Sequence, residues 1–363
     1  MNSNNCTIHP SMFPVGDCPI KIGKLTVGPG YPVVMIAEAG VNHDGDLEKA
    51  KKLIDVAVEA KADIVKFQTF KTDKLLVQNL DKCAYQKVGD GGGSYADMIR
   101  RLELNEQMHK DLMTYCKHKG IMFMSTPFDE ESVDMLDELG VEAFKIDSGN
   151  LNNPYLVRHI ASKQKPIFLS TGMARIGEID EALQTIYSTG NHKIMLLHCT
   201  SNYPPAISDV NLLAMNTIKI QFNTIVGYSD HTPGLPVSLA AVALGACVIE
   251  KHFTLDRNAK GPDHLASVEP HELKDLVAGI RMISTALGSS QKHPVPAEKA
   301  VAQSLRRSVV SLKPIHKGTV ITKDMIAIKR PGDGIAPKFF DLIVGRVAQK
   351  DIDGDVPLSW DQI

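Results

Sequence analysis

The sequence predicts an α/β protein, a (β/α)8 TIM barrel followed by a small, mostly β module, and three observations predict it. Short apolar runs alternate with amphipathic stretches along most of the 363 residues, the order expected of a parallel sheet covered by helices. There are eight such runs, the number that closes a barrel, in a segment close to the roughly 250 residues usual for one. The pattern then breaks after Leu287. A doubly wound open sheet is the alternative, because a strand count does not by itself close a sheet.

Taken in order, "PIKIGKLTVG" (19–28) alternates and reads as a hairpin capping the barrel floor, so residues 1–32 are an extension ending in that hairpin. The barrel, 33–287, has strand-like runs at 33–40, 62–70, 121–128, 143–149, 166–172, 194–201, 224–231 and 247–254. Each is short and rich in Ile, Val, Leu or Phe, as a strand buried on both faces should be. Between them, "LEKAKKLIDVAVEA" (47–60) puts Ala50, Leu53, Ile54 and Ala57 on one helical face. "EESVDMLDELG" (130–140) and "EIDEALQTIYSTG" (178–190) read as helices stopped by Gly140 and Gly190. The glycine-rich "GDGGGSY" (89–95) has no strand before it and no helix after it in phosphate-loop spacing, so it reads as a flexible loop near the mouth. Residues 288–307 are polar and proline-bearing and read as a linker. Residues 308–363 show short alternating strands broken by "KG", "PGDG" and "DGD", a module of about 60 residues that is marginal by itself.

Composition narrows the function. A formal net charge of −2 gives no field favouring nucleic acid or a membrane surface. The longest apolar run, Leu239 to Ile249, is far short of the roughly 20 residues that span a bilayer. The first residues have neither a basic head nor an apolar stretch, so no signal peptide is read there. Six cysteines, scattered without a CxxC pair, suggest reduced thiols in a cytoplasmic protein.

In a parallel barrel the active site lies at the carboxyl ends of the strands. Those ends carry Glu38, Asn42 and His43; Lys66 and Gln68; Ser125 and Thr126; Lys145 and Ser148; and Ser170 and Thr171. The last three carry His198, Thr200, Ser201, Asn202 and Tyr203; Ser229, Asp230 and His231; and Glu250 and His252. Two lysines among hydroxyls suit an anion such as phosphate. A Schiff-base aldolase would need one desolvated lysine, and two cations fit an anion better. A single histidine after a strand is more often a hydrogen-bonded structural residue. Two at the ends of adjacent strands converge on one mouth and suit a divalent metal with open positions.

The motifs "IAEAGVNHDGDL", "VKFQTF", "STPFD", "LSTGM", "HCTSNYP", "GYSDHTPG", "VIEKHFTLD" and "GPDHLASVEP" resemble the sialic acid synthase family. The tail, with "IHKGTVITKDMIAIKRPGDGI", resembles that family's C-terminal antifreeze-like (SAF) domain. The resemblance runs from about residue 20 to the end. It implies condensation of phosphoenolpyruvate with N-acetylmannosamine to give N-acetylneuraminate and phosphate. It implies His231 and His252 as ligands of manganese, with magnesium or cobalt as alternatives. It places Lys66, Thr126, Lys145, Ser148, Ser170, Ser201 and Ser229 around phosphoenolpyruvate, Ser201 at a position that varies among small polar residues. Glu38 and Glu250 stand beside the reacting carbons, and Tyr203 and Asp263 on the sugar side. Arg330 reaches the amino sugar's acyl group from a partner subunit, which implies a domain-swapped homodimer. One departure stands out: "DSGN" puts Asn150 where the family carries glutamate, and Asp147 where it carries a small residue. An amide keeps an acceptor, adds a donor and loses the charge, which leaves the amino sugar open. A synthase for legionaminic or pseudaminic acid, or a non-catalytic sugar-binding homologue, are the alternatives.

Overall fold

The computed structural model describes residues 18–77, 80–82, 86 and 94–363; the loop glycines at 89–93 lie outside them. The chain divides into two compact units at Gly288.

In the first unit, β1 (Ile20–Ile22) and β2 (Leu25–Val27) pair as an antiparallel hairpin. Eight parallel strands follow: β3 (Val34–Gly40), β4 (Ile64–Thr69), β5 (Met122–Pro127), β6 (Phe144–Ile146), β7 (Ile167–Ser170), β8 (Ile194–Cys199), β9 (Ile225–Asp230) and β10 (Val248–His252). Neighbours in sequence are neighbours in space, and the last strand, β10, pairs with the first, β3. That order belongs to a barrel and not to a doubly wound sheet. The three-residue β6 packs beside β5, and the barrel is nearly closed there.

The covering helices are α1 (Leu47–Glu59), α2 (Glu106–Lys119), α3 (Glu130–Leu139), α4 (Pro154–Ser162), α5 (Ile176–Tyr187), α6 (Ala214–Phe222), α7 (Pro236–Ala243) and α8 (Pro270–Leu287). Each follows one barrel strand. Asp46 caps α1 by accepting from the Lys49 amide, and the helix buries Ala50, Leu53, Ile54 and Ala57, the face its periodicity predicts. Gly140 ends α3 in the left-handed conformation, at φ 84°. Helix α5 stops earlier than its sequence suggests, at Tyr187 with Ser188 as cap, and Gly190 falls in the turn beyond. No helix among the described residues is long and apolar enough to cross a membrane.

The barrel wall sorts side chains by parity, because successive residues of a strand face opposite ways. Met35, Ala37, Val65, Phe67, Leu169, Leu196, Val226 and Ile249 face the helices. Val34, Ile36, Ile64, Met124, Phe168, Met195, Leu197 and Val248 fill the lower interior, joined from below by Ile22 and Val27 of the hairpin. The hairpin is therefore the floor of the barrel. Gly227 faces inward where there is no room: a Cβ there would lie 2.6 Å from both Leu197 Cδ2 and the Val248 carbonyl oxygen.

The second unit pairs β11 (Ser308–Ser311) with β12 (Ile326–Lys329) around Val309, Ile315, Ile321, Ile326, Ile335, Ile352 and Leu358. The stretch read as a linker is partly ordered: Pro296–Leu305 is a helix, α9. Pro296 opens it and the Glu298 carboxylate accepts from the Val295 amide, at 3.0 Å. None of its residues is buried, and a helix with no buried face leaves no apolar stripe by which to recognise it.

Phe168 is fully buried above the floor. Phe168→Ala is expected to lower barrel stability by about 3–5 kcal/mol. Urea denaturation should show a lower midpoint with the m-value unchanged.

Candidate active site

Halfway up the barrel the inward positions change character. Two residues beyond inward Ile36, Ile64, Ala143, Phe168 and Val248 stand Glu38, Lys66, Lys145, Ser170 and Glu250. The same parity brings in Thr126 above Met124, and Ser229 then His231 above Gly227. The outward polar residues at the strand ends do structural work instead. Ser125 bonds Thr69, which also bonds His109. His198 bonds the Val210 carbonyl at 2.8 Å. Parity thus divides the polar strand ends into a site and its supports.

The centre of the site is four charges. Lys66 Nζ lies 2.8 Å from Glu38 Oε2 and 3.6 Å from Glu250 Oε2. Lys145 Nζ lies 3.6 Å from Glu250 Oε1. The four residues are 1, 3, 4 and 3% exposed for Glu38, Lys66, Glu250 and Lys145. Lys66 donates to Thr126 Oγ1 at 3.0 Å, Ser229 Oγ donates to Glu250 Oε1 at 2.8 Å, and Gln68 Nε2 donates to Glu38 Oε1 at 3.3 Å. The carboxyls differ. Burial raises the Glu38 carboxyl to about 7 against the pull of Lys66. Burial also acts on Glu250, but Lys145, Lys66 and the Ser229 hydroxyl outweigh it and hold that carboxyl well below the usual range. Glu38 is thus the carboxyl that exchanges a proton near neutrality, and Glu250 the one held ionised.

Beside this cluster three strand ends meet around Gly172. Its amide donates to Ser148 Oγ at 2.9 Å. A Cβ at 172 would come within 2.2 Å of Ser201 Oγ and 2.8 Å of Ser148 Oγ. Only glycine allows the two hydroxyls to approach this closely, and the "STG" after β7 is the sequence signal that went unused. Ser170 Oγ is buried with no hydrogen-bond partner among the described residues, so it awaits one.

His231 and His252 come together, their ring centroids 5.4 Å apart. His231 Nδ1 lies 3.0 Å from the Thr200 carbonyl; since a carbonyl only accepts, Nδ1 carries a proton, and in the neutral ring Nε2 carries the lone pair, while burial, outweighed by the pull of neighbouring Cys199, leaves this imidazole raised above its usual value. His252 Nδ1 is buried with no hydrogen-bond partner among the described residues, 3.8 Å from Asp263 Oδ2. Burial, then His231 and Lys66, hold His252 well below its usual value, leaving the neutral ring that a metal requires. Among the described residues no group of three or more His, Cys, Asp or Glu converges at ligand spacing. One oriented nitrogen and one orphaned nitrogen fit a divalent ion that takes its other ligands from water and substrate. Tyr203 lies on this pair, its ring 4.0 Å from that of His231 and 5.8 Å from that of His252. Asp263 is buried alongside, and burial raises its carboxyl to about 6.

Asn150 and Arg330 are the remaining expected residues. Asn150 is half-buried after β6, donating to Asp147 Oδ1 at 2.7 Å and accepting from Asn153 at 3.3 Å. Arg330 is exposed in the second unit. The turn after it is fixed: the Gly332 amide donates to the Gln303 carbonyl of α9 at 2.8 Å.

Residues 53–292 match the NeuB family and residues 306–363 the SAF domain. The chain belongs to the NeuB family. It is 48% identical to an N,N'-diacetyllegionaminic acid synthase of Campylobacter jejuni, over 89% of this chain and 97% of that protein. It is 45% identical to an N,N'-diacetyllegionaminic acid synthase of Legionella pneumophila, over 93% of this chain and 96% of that one. A solved N-acetylneuraminic acid synthetase from Leptospira borgpetersenii, in complex with citrate, superimposes with a TM-score of 0.71 at 35% identity, covering 78% of this chain and 95% of that one. The expected class of enzyme, a synthase forming a carbon–carbon bond with phosphoenolpyruvate, is borne out.

The unequal carboxyls have a measurable consequence. A carboxyl whose value is raised by folding favours the folded state while protonated, and that contribution is lost as pH rises from its ordinary value of 4.5 to about 7. The Glu38→Gln variant should lack this decline. Denaturation midpoints across that window, without added ligand, test it; parallel curves for the two proteins would show that Glu38 titrates normally.

Proposed function

We propose that this NeuB-family synthase condenses phosphoenolpyruvate with the open-chain aldehyde of an amino sugar carrying two acetamido groups, giving an acid of the N,N'-diacetyllegionaminic type and phosphate. The observation that carries the choice of sugar is the 48% identity to such a synthase along nearly its whole length. The sequence alone points to N-acetylmannosamine, and that is the second reading, supported by the likeness to the Leptospira borgpetersenii synthetase. Asn150 in place of an acid agrees with the first: a neutral amide suits a sugar with fewer hydroxyls and more amides to recognise.

In this reading Lys66 and Lys145 take the anion, with Thr126, Ser148, Ser170, Ser201 and Ser229 as its hydroxyl donors. A divalent ion on His231 and His252, manganese with magnesium or cobalt as alternatives, supplies Lewis-acid polarisation of the sugar aldehyde. The enol carbon then bonds to the aldehyde carbon. Positive charge grows at the neighbouring carbon, facing the fixed anion of Glu250. Water adds there, and Glu38, whose carboxyl titrates near neutrality, takes its proton. The resulting hemiketal phosphate breaks its carbon–oxygen bond, and Lys66 and Lys145 neutralise the departing phosphate. Tyr203, Asp263 and Asn150 orient the sugar. Arg330 completes the site of a second subunit in a domain-swapped dimer.

Phosphate release from phosphoenolpyruvate against a panel of amino sugars decides the substrate. The diacetamido sugar should give the highest kcat/KM, and chelation should abolish turnover until manganese is restored. A preference for N-acetylmannosamine selects the second reading; no release with any sugar, in a protein loaded with metal, leaves a sugar-binding homologue.

Mixing two inactive variants tests the swapped arrangement. Lys66→Ala and Arg330→Ala should regain activity together, since one mouth of the mixed dimer has both residues intact. Folded parents that exchange subunits yet stay inactive overturn it.

A further inference from the structure

We infer that the buried Lys251–Asp230 ion pair, on the outer face of the barrel wall, is the positioning device for the two imidazoles. The inference rests on the metal reading given above. Asp230 directly precedes His231 and Lys251 directly precedes His252. In the β9–β10 ladder Lys251 and Asp230 are partners on the last rung, so no backbone pairing holds the two strands together beyond them. Lys251 Nζ lies 2.7 Å from Asp230 Oδ2 and donates to the Thr232 carbonyl, also at 2.7 Å. One ammonium therefore grips the residues on both sides of His231 while standing next to His252.

The carboxylate is held as firmly. Asp230 Oδ1 accepts from the Thr232 amide at 2.8 Å, and Oδ2 accepts from Ser238 Oγ of α7 at 2.5 Å. The side chains are 1 and 0% exposed. A buried ion pair is poor evidence of stabilisation, because apolar residues of similar volume are often as good or better there. What it supplies is fixed geometry. Two ring nitrogens serve one ion only if their separation holds, and with two histidines as the whole protein ligand set an error in either is felt in full.

The barrel contains its own control. Arg281 of α8 bonds Asp63 Oδ2 at 2.6 Å, and Asp63 also accepts from the Met35 amide at 2.7 Å. This pair lies at the opposite end of the strands.

The experiment is direct titration of the metal-free full chain with Mn2+, read by the electron paramagnetic resonance of the free ion, so that turnover is not needed. Lys251→Met should weaken Mn2+ binding by about ten- to hundredfold, the usual effect of removing a support behind a metal ligand. Phosphoenolpyruvate affinity measured in chelator should stay unchanged, because Lys66 and Lys145 are untouched. Arg281→Met should lower the Tm and leave Mn2+ affinity as in wild type. Should Lys251→Met fail to fold, Ser238→Ala removes one donor to Asp230 and should weaken Mn2+ binding with the fold intact. Wild-type Mn2+ affinity in a folded Lys251→Met or Ser238→Ala protein overturns the inference, as does equal weakening by Arg281→Met. Wild-type protein that binds Mn2+ no better than His231→Ala removes the metal reading itself, and the inference with it.

Discussion

Two carboxylates and two ammonium groups are sunk in the middle of a barrel whose lower half is hydrocarbon. Burying any one of them alone is prohibitive; together Glu38, Lys66, Lys145 and Glu250 sum to zero when Glu38 is ionised, and each charge has an opposite one within 3.6 Å. The arrangement explains several other features. The strands must be short and parallel so that their ends converge. The floor must be sealed, because water from below would screen the charges. The outward polar residues Ser125, His198 and Asp230 are each hydrogen-bonded, which lets the wall carry them at that height. On the function proposed above, an arriving anion would replace some of the carboxylate contacts to the lysines.

Most of the fold was legible because the barrel repeats one simple unit. The apolar runs at 33–40 and 194–201 contain β3 and β8 almost to the residue, and the face of α1 follows from its spacing. The site was legible as a set of positions: polar residues at eight strand ends. The sequence did not separate the inward residues from the outward ones. His198 and Ser125 look as functional as His252 and Thr126 until parity is known, and parity depends on where each strand starts. Gly172 was invisible for another reason: its role is the space it leaves for Ser148 and Ser201. Helix α9 was hidden by its solvent exposure.

Family membership and substrate choice rest on different residues. On the function proposed above, the four charges and the two imidazoles would carry the condensation itself. Asn150 would not. Its carboxamide is locked by Asp147 on one side and Asn153 on the other, so its donor and acceptor have fixed directions. A fixed amide reads a partner's orientation as well as its charge. Asn150 is therefore a built feature of this mouth, with its own supporting bonds.

The hairpin under the barrel makes the site a well with one opening. Ile22 and Val27 close the lower end. His252 and His231 stand two residues farther along their strands than Glu250 and Ser229. Whatever rests on Lys66 and Lys145 lies beneath whatever the imidazoles hold, and both must pass the same rim. Traffic in such a well is last in, first out. On the function proposed above, the lower ligand would load first, the upper one would close over it, and the small fragment left at the bottom would depart last. On that reading an ordered kinetic pattern would follow from a six-residue plug of two short strands.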